Sequence, residues 1–182
     1  MEFKDNNFSN IIFITGGTKS GKSEFAEYLG KKIKKITYIA LSDSRPEDPN
    51  WQKKILQHRN RRPKEWGLIE TNNLINTLKM EKGPILIDSI GGFIMESLNK
   101  NDEEWEKMIY LLLDLLVKRV KTTLIVGEQV GWSLVSEYEI GNKYIERIGE
   151  LQKKITKIST ENWITINGRA IKLDNISIEI PN

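Results

Sequence analysis

Ile11-Ile12-Phe13-Ile14-Thr15-Gly16-Gly17-Thr18-Lys19-Ser20-Gly21-Lys22-Ser23 is the stretch that decides how this chain is read. Its first five residues are apolar or β-branched on both faces, as a central parallel strand requires. The next eight match G-x-x-x-x-G-K-[ST] in full, and a helical pattern opens at Lys22. Glycines at these positions let backbone N–H groups turn inward around phosphate oxygens, and the N-terminus of the following helix adds partial positive charge. In such a loop Lys22 follows the β/γ-phosphates as a point charge, and the Ser23 hydroxyl is a Mg²⁺ ligand. An ordinary Gly-rich turn is the alternative, and the joint agreement of strand, loop and helix outweighs it. Gly16, Gly17, Thr18, Lys19, Ser20, Gly21, Lys22 and Ser23 are therefore expected to bind a nucleotide, with Lys22 also catalytic.

Outward from this loop, short β-branched runs alternate with longer helical patterns, which predicts an α/β fold with a mostly parallel sheet. Strands are expected near Ile11–Thr15, Thr37–Ala40, Ile85–Asp88 and Thr122–Val126, with a shorter one at Gly67–Glu70. Trp163–Ile166 and Ala170–Leu173 flank Asn167-Gly168, a strong hairpin signal, so the sheet should close on a C-terminal β-hairpin. Helices are expected from Lys22, from Asp48 as N-cap with Pro49 at the first position, over Gly91–Leu98, over Asp102–Lys121 and over Glu137–Ile158. The pattern is that of a P-loop NTPase-like (RecA-like) three-layer sandwich. Neither repeats nor linkers interrupt it, so residues 1–182 read as one domain, with 1–10 and 174–182 as terminal tails.

Composition removes several classes. The chain has no cysteine, which excludes disulfides, thiol nucleophiles and cysteine metal sites. A single histidine, His58, excludes a multi-histidine metal centre. The 28 Lys and Arg against 25 Asp and Glu are interspersed, so the net charge of +3 gives no nucleic-acid footprint. Leu111-Leu112-Leu113 is soon interrupted by Asp114 and Lys118, so no membrane span is expected. The polar N-terminus lacks a signal-peptide core, and the expected compartment is the cytoplasm.

Two further residues carry candidate chemistry. Asp88 ends an apolar strand at the carboxyl edge, where open α/β sheets bind ligands, and would hold Mg²⁺ opposite Ser23. Its alternative role is to cap the helix that follows. His58 sits among Arg59, Asn60, Arg61 and Arg62 and shares a helical face with Trp51 and Ile55. It is either a structural residue or a nucleophile: neutral imidazole attacks a nucleotide's α-phosphate without a costly deprotonation, and the arginines offset the charge.

His58-x-x-x-Arg62-Pro63-x-x-Trp66, downstream of the Gly16–Ser23 loop and followed by Glu70, resembles the adenosylcobinamide kinase / adenosylcobinamide-phosphate guanylyltransferase family. Val130-Gly131, Leu134-Val135-Ser136-Glu137 and Trp163–Gly168 extend the resemblance over about Ile11 to Leu173. The family implies a P-loop α/β fold, a homotrimer and two reactions. ATP or GTP phosphorylates adenosylcobinamide, a corrinoid; GMP then passes from GTP to that phosphate through a guanylyl-histidine, at the position of His58. It also implies that Ala40, Leu41, Ser42, Arg59, Asn60, Arg61, Arg62, Glu70 and Asp88 line the nucleotide site. The chain departs from the family at Glu128-Gln129 (usually Asn-Glu), Ser136-Glu137-Tyr138 (usually Pro-Glu-Asn) and Glu96-Ser97 (usually Thr-Asn). Two other readings fit the loop itself: a plain small-molecule kinase that never uses His58, and a GTP-binding module without catalysis.

Overall fold

The computed structural model describes residues 10–41, 62–132 and 136–181. The helix expected from Asp48 lies outside them up to residue 61. The described residues contain seven strands: β1 (Ile11–Gly16), β2 (Thr37–Leu41), β3 (Gly67–Thr71), β4 (Ile85–Asp88), β5 (Thr123–Val126), β6 (Glu161–Ile166) and β7 (Arg169–Lys172). They form one sheet in the order β3-β2-β4-β5-β1-β6-β7. Every neighbouring pair is parallel except β6–β7. The helices are α1 (Lys22–Gly30), α2 (Leu74–Met80), α3 (Gly91–Ser97), α4 (Asp102–Val117) and α5 (Glu139–Ile158).

Successive side chains on a strand face opposite ways, and here both faces are apolar. Ile11, Phe13, Ile39, Ile85, Ile87 and Ile125 join the buried side chains of α2, α3, α4 and α5. Ile14, Tyr38, Leu86, Leu124 and Val126 pack with Ala26, Phe25 and Leu29 of α1 on the other face. The fold is thus a three-layer α/β sandwich, as the alternating pattern predicts. Each fully buried Ile, Leu or Phe is worth about 1.5–3 kcal/mol of burial. Adding a second apolar face nearly doubles what each central strand contributes.

Helix α2 was not among the expected elements. Asn73 caps it, accepting from Asn76 N at 3.0 Å, and Leu74 and Leu78, one turn apart, are buried. Helix α4 begins with a capping box: Asn101 Oδ1 accepts from Glu104 N at 2.9 Å, and Glu104 Oε2 from Asn101 N at 3.1 Å. It ends at Val117 rather than Lys121. The chain turns there so that the buried Arg119 donates to the carbonyls of Glu81 and Gly83 and to Thr123 Oγ1. No Gly or Pro marks this stop; a distant need for donors sets it.

The β6–β7 hairpin is as expected. Asn167 (φ 49°) and Gly168 (φ 75°) both take left-handed conformations, which a two-residue primed turn needs. The terminal boundaries shift slightly. Asn10 belongs to the body, its carbonyl accepting from Thr123 N at 2.9 Å. Asp174 does too, within a 3₁₀ turn (Leu173–Asn175). Its carboxylate accepts from Asn162 N at 2.8 Å and Asn162 Nδ2 at 3.0 Å, clamping the start of β6. Residues 176–181 form no strand.

Candidate active site

The order β4-β5-β1 places the carboxyl ends of three strands side by side, so the loop after β1 and Asp88 at the end of β4 flank the end of β5. Between β1 and α1 the Gly16–Ser23 loop folds back over the sheet edge. Gly21 sits at φ +97°, a conformation L side chains rarely adopt, and begins α1. Lys19, at φ 56°, takes the left-handed region without being glycine, at a cost of about 1–2 kcal/mol. The surroundings hold the loop in this shape. Gln129 N donates to Gly16 O at 3.0 Å, and Gly168 N, from the hairpin turn, donates to Ser20 O at 3.0 Å. The Ser20 hydroxyl is buried against Thr165 Oγ1 at 2.7 Å and so supports the loop from behind. Lys22 Nζ donates to Gly17 O at 3.2 Å.

A cavity of about 410 Å³ opens over this loop. Gly16, the run from Thr18 to Glu24, and Glu128, Gln129 and Val130 line it. The Ser23 hydroxyl donates to Asp88 Oδ1 at 3.3 Å, and the Tyr38 phenol donates to Oδ2 at 2.7 Å. Asp88 does not cap α3, whose N-cap is Ile90. Burial raises the pKa of Tyr38, and the neighbouring Asp88 charge raises it further while Arg62 opposes them. Tyr38 therefore stays a proton donor to the carboxylate. The Arg62 guanidinium stacks 4.0 Å from the centroid of the Tyr38 ring.

The remaining sequence-predicted residues fall as follows. Ala40 stands in register between Asp88 on β4 and Glu70 on β3, so all three lie in one row along the carboxyl edge. Glu70 is exposed. The Leu41 side chain is in the hydrophobic core, which leaves only its backbone for a ligand. Ser42, His58, Arg59, Asn60 and Arg61 lie outside the described residues.

Sequence reasoning missed a group centred on Glu128 of the cavity lining. Glu128 accepts from Ser89 Oγ and, at 3.1 Å, from Tyr144 OH of α5. Gln152 Nε2 donates to the Glu128 carbonyl at 3.0 Å, and Gln129 Nε2 to Thr15 Oγ1 at 2.9 Å. Glu128 stands two residues beyond the end of β5. The edge rule that singled out Asp88 at the end of β4 was available for Glu128 as well. Tyr38, Ser89 and Tyr144 had no such signal, since only the fold brings them near.

The sequence profile of a family described as cobinamide kinase / cobinamide phosphate guanyltransferase matches residues 12–173. The bifunctional adenosylcobalamin biosynthesis protein CobU of Escherichia coli is 24% identical over 181 residues, covering 90% of this chain and 99% of that protein. CobP of Pseudomonas aeruginosa, under the same description, is 26% identical over 166 residues, covering 88% of this chain and 95% of its own. Among solved structures, one from Pyrococcus horikoshii, titled a structural study of PH0250, superposes with a TM-score of 0.54 at 10% identity. It covers 97% of this chain and 91% of that one, which is a likeness of fold.

Proposed function

This chain belongs to the cobinamide kinase / cobinamide phosphate guanyltransferase family, and from that premise we propose a residue-level course for its two reactions. It phosphorylates adenosylcobinamide with ATP or GTP. It then transfers GMP from GTP to the new phosphate through a guanylyl group on His58. The observation that carries the first step is that Lys22 and Ser23 line the cavity while the Ser23 hydroxyl donates to Asp88. Lys22 follows the β/γ-phosphates, and the loop's N–H groups hold them.

The paired oxygens of Ser23 and Asp88 suit Mg²⁺, a hard cation that usually takes one or two protein oxygens and completes its shell with phosphates and water. Bound there, Mg²⁺ would neutralise charge developing between the β- and γ-phosphates. Tyr38 fixes the Asp88 carboxylate with one oxygen turned toward Ser23.

For the second step, a neutral His58 nitrogen forms a bond to the α-phosphorus as the bond to the bridging oxygen breaks and pyrophosphate leaves. The phosphate of the corrinoid substrate then takes the GMP. Arg59, Arg61 and Arg62 offset the charge. In support, Arg62 lies four positions beyond His58 and stacks on Tyr38, which itself holds Asp88. Arg62 is thereby anchored through Tyr38 to the Asp88 carboxylate. The protein acts in the cytoplasm as a homotrimer. Among the described residues no helix is long and apolar enough to cross a membrane, and light scattering should return three copies of the 21.1 kDa chain.

Mass spectrometry of protein incubated with GTP and Mg²⁺ tests the mechanism. One GMP should appear on His58, labile in acid and stable in base, and His58→Ala should lose it while still phosphorylating adenosylcobinamide. An adduct on Lys22, or one that persists in His58→Ala, would refute the assignment.

A further inference from the structure

The phosphoryl-transfer step needs an acceptor for the substrate hydroxyl's proton, and the groups assigned so far do not supply it. Lys22 is a cation, Asp88 is assigned to Mg²⁺ above, and His58 belongs to the other step. Glu128 is a carboxylate among the residues that line the same cavity as the Gly16–Ser23 loop. It follows β5, the strand between the loop's own strand and that of Asp88, so it stands at the middle of the sheet's carboxyl edge.

Its side chain is held on both oxygens, by Ser89 Oγ on Oε1 and by Tyr144 OH on Oε2. A carboxylate has about four lone-pair sites, so two donors orient it and leave each oxygen able to accept again. Burial raises the pKa of Tyr144, and the Glu128 charge raises it further, so the phenol remains a donor. The fold also leaves room for this pair. A Cβ at Gly91 would lie 2.4 Å from Tyr144 Oη and 2.9 Å from Glu128 Oε2, so glycine there lets α3 approach both. Position 129, by contrast, carries an amide turned to Thr15 behind the loop. Both residues of the Glu128-Gln129 pair line the cavity, and Glu128 is the acid of the two.

We propose that Glu128 accepts the proton of the attacking hydroxyl in the kinase step, with Ser89 and Tyr144 as positioning residues. This rests on the kinase reading above. As the hydroxyl oxygen bonds to the γ-phosphorus, the bond from that phosphorus to the β–γ bridging oxygen breaks. The nucleoside diphosphate leaves with that electron pair, and the hydroxyl proton passes to a Glu128 oxygen and thence to water.

The test uses purified protein, adenosylcobinamide and γ-labelled GTP. Positioned general bases contribute on the order of a hundredfold to ten-thousandfold. Glu128→Gln should therefore lower kcat for phosphorylation by at least about a hundredfold. The nucleotide KM and the GMP adduct formed from GTP alone should stay near wild type. Tyr144→Phe, which leaves the carboxylate and frees its orientation, should lower kcat less and again spare KM. If Glu128→Gln does not fold, Glu128→Asp keeps the charge and withdraws it by one methylene, and it should lower kcat at unchanged KM. Unchanged kcat in a folded variant, or a loss confined to KM, overturns the proposal. A wild-type protein that fails to phosphorylate adenosylcobinamide overturns the kinase reading instead.

Discussion

At the scale of single residues, the site is a set of side chains each committed by a partner. Lys22 is the exception in one respect: its flexible stem ends on a backbone carbonyl of its own loop, a contact that any phosphate oxygen outbids because it carries full charge. Lys22→Ala should lower phosphoryl transfer by at least about a hundredfold, the scale for one lost electrostatic stabiliser. Initial rates with γ-labelled nucleotide measure it, and activity within a few-fold of wild type would contradict the role given to Lys22. Residues of this kind were legible because the loop motif is local: eight consecutive positions specify both backbone and chemistry. Tyr38 and Tyr144 were not. Each sits 50 and 16 positions, respectively, from the carboxylate it holds, and nothing near either tyrosine marks it.

At the scale of elements, β6 does more than extend the sheet. The Thr165 hydroxyl lies against that of Ser20 and donates to the Thr15 carbonyl at 3.3 Å, and the hairpin turn beyond it reaches the Ser20 carbonyl. Thr165→Val keeps the shape and strands a buried Ser20 hydroxyl, which costs about 1–3 kcal/mol. Urea unfolding should show that loss, and nucleotide affinity should fall with it. Undiminished affinity would mean that the loop keeps its shape without β6. All seven strands were anticipated within a residue or two, because β-branched runs bounded by turn residues announce themselves. Helix α2 was overlooked because two buried leucines one turn apart are too weak a period over seven residues. The end of α4 was misplaced because its cause, the donors of Arg119, belongs to a different part of the chain.

At the scale of the whole molecule, strand existence was readable and strand order was not, since order depends on crossovers that no local pattern records. Asp174 shows how the distal parts are joined. Burial pushes its pKa up, but the hydrogen bonds from Asn162 and the Lys172 charge outweigh this and hold it below the ordinary aspartate value of 3.8. A depressed folded pKa adds stability at pH values above the unfolded pKa, and that stability is lost as the pH falls through the folded one. Asp174→Asn should therefore lower the melting temperature at neutral pH, with the gap to wild type closing as the pH drops below 3.8. A gap that stays constant with pH would rule out the clamp as an electrostatic tie. The Ser20–Thr165 contact spans 145 positions. A ribosome adding about 5–20 residues per second needs roughly seven to thirty seconds to cover that distance. Throughout that interval the growing chain carries every letter of its nucleotide motif without the strand that braces it, so synthesis itself delays the onset of nucleotide consumption.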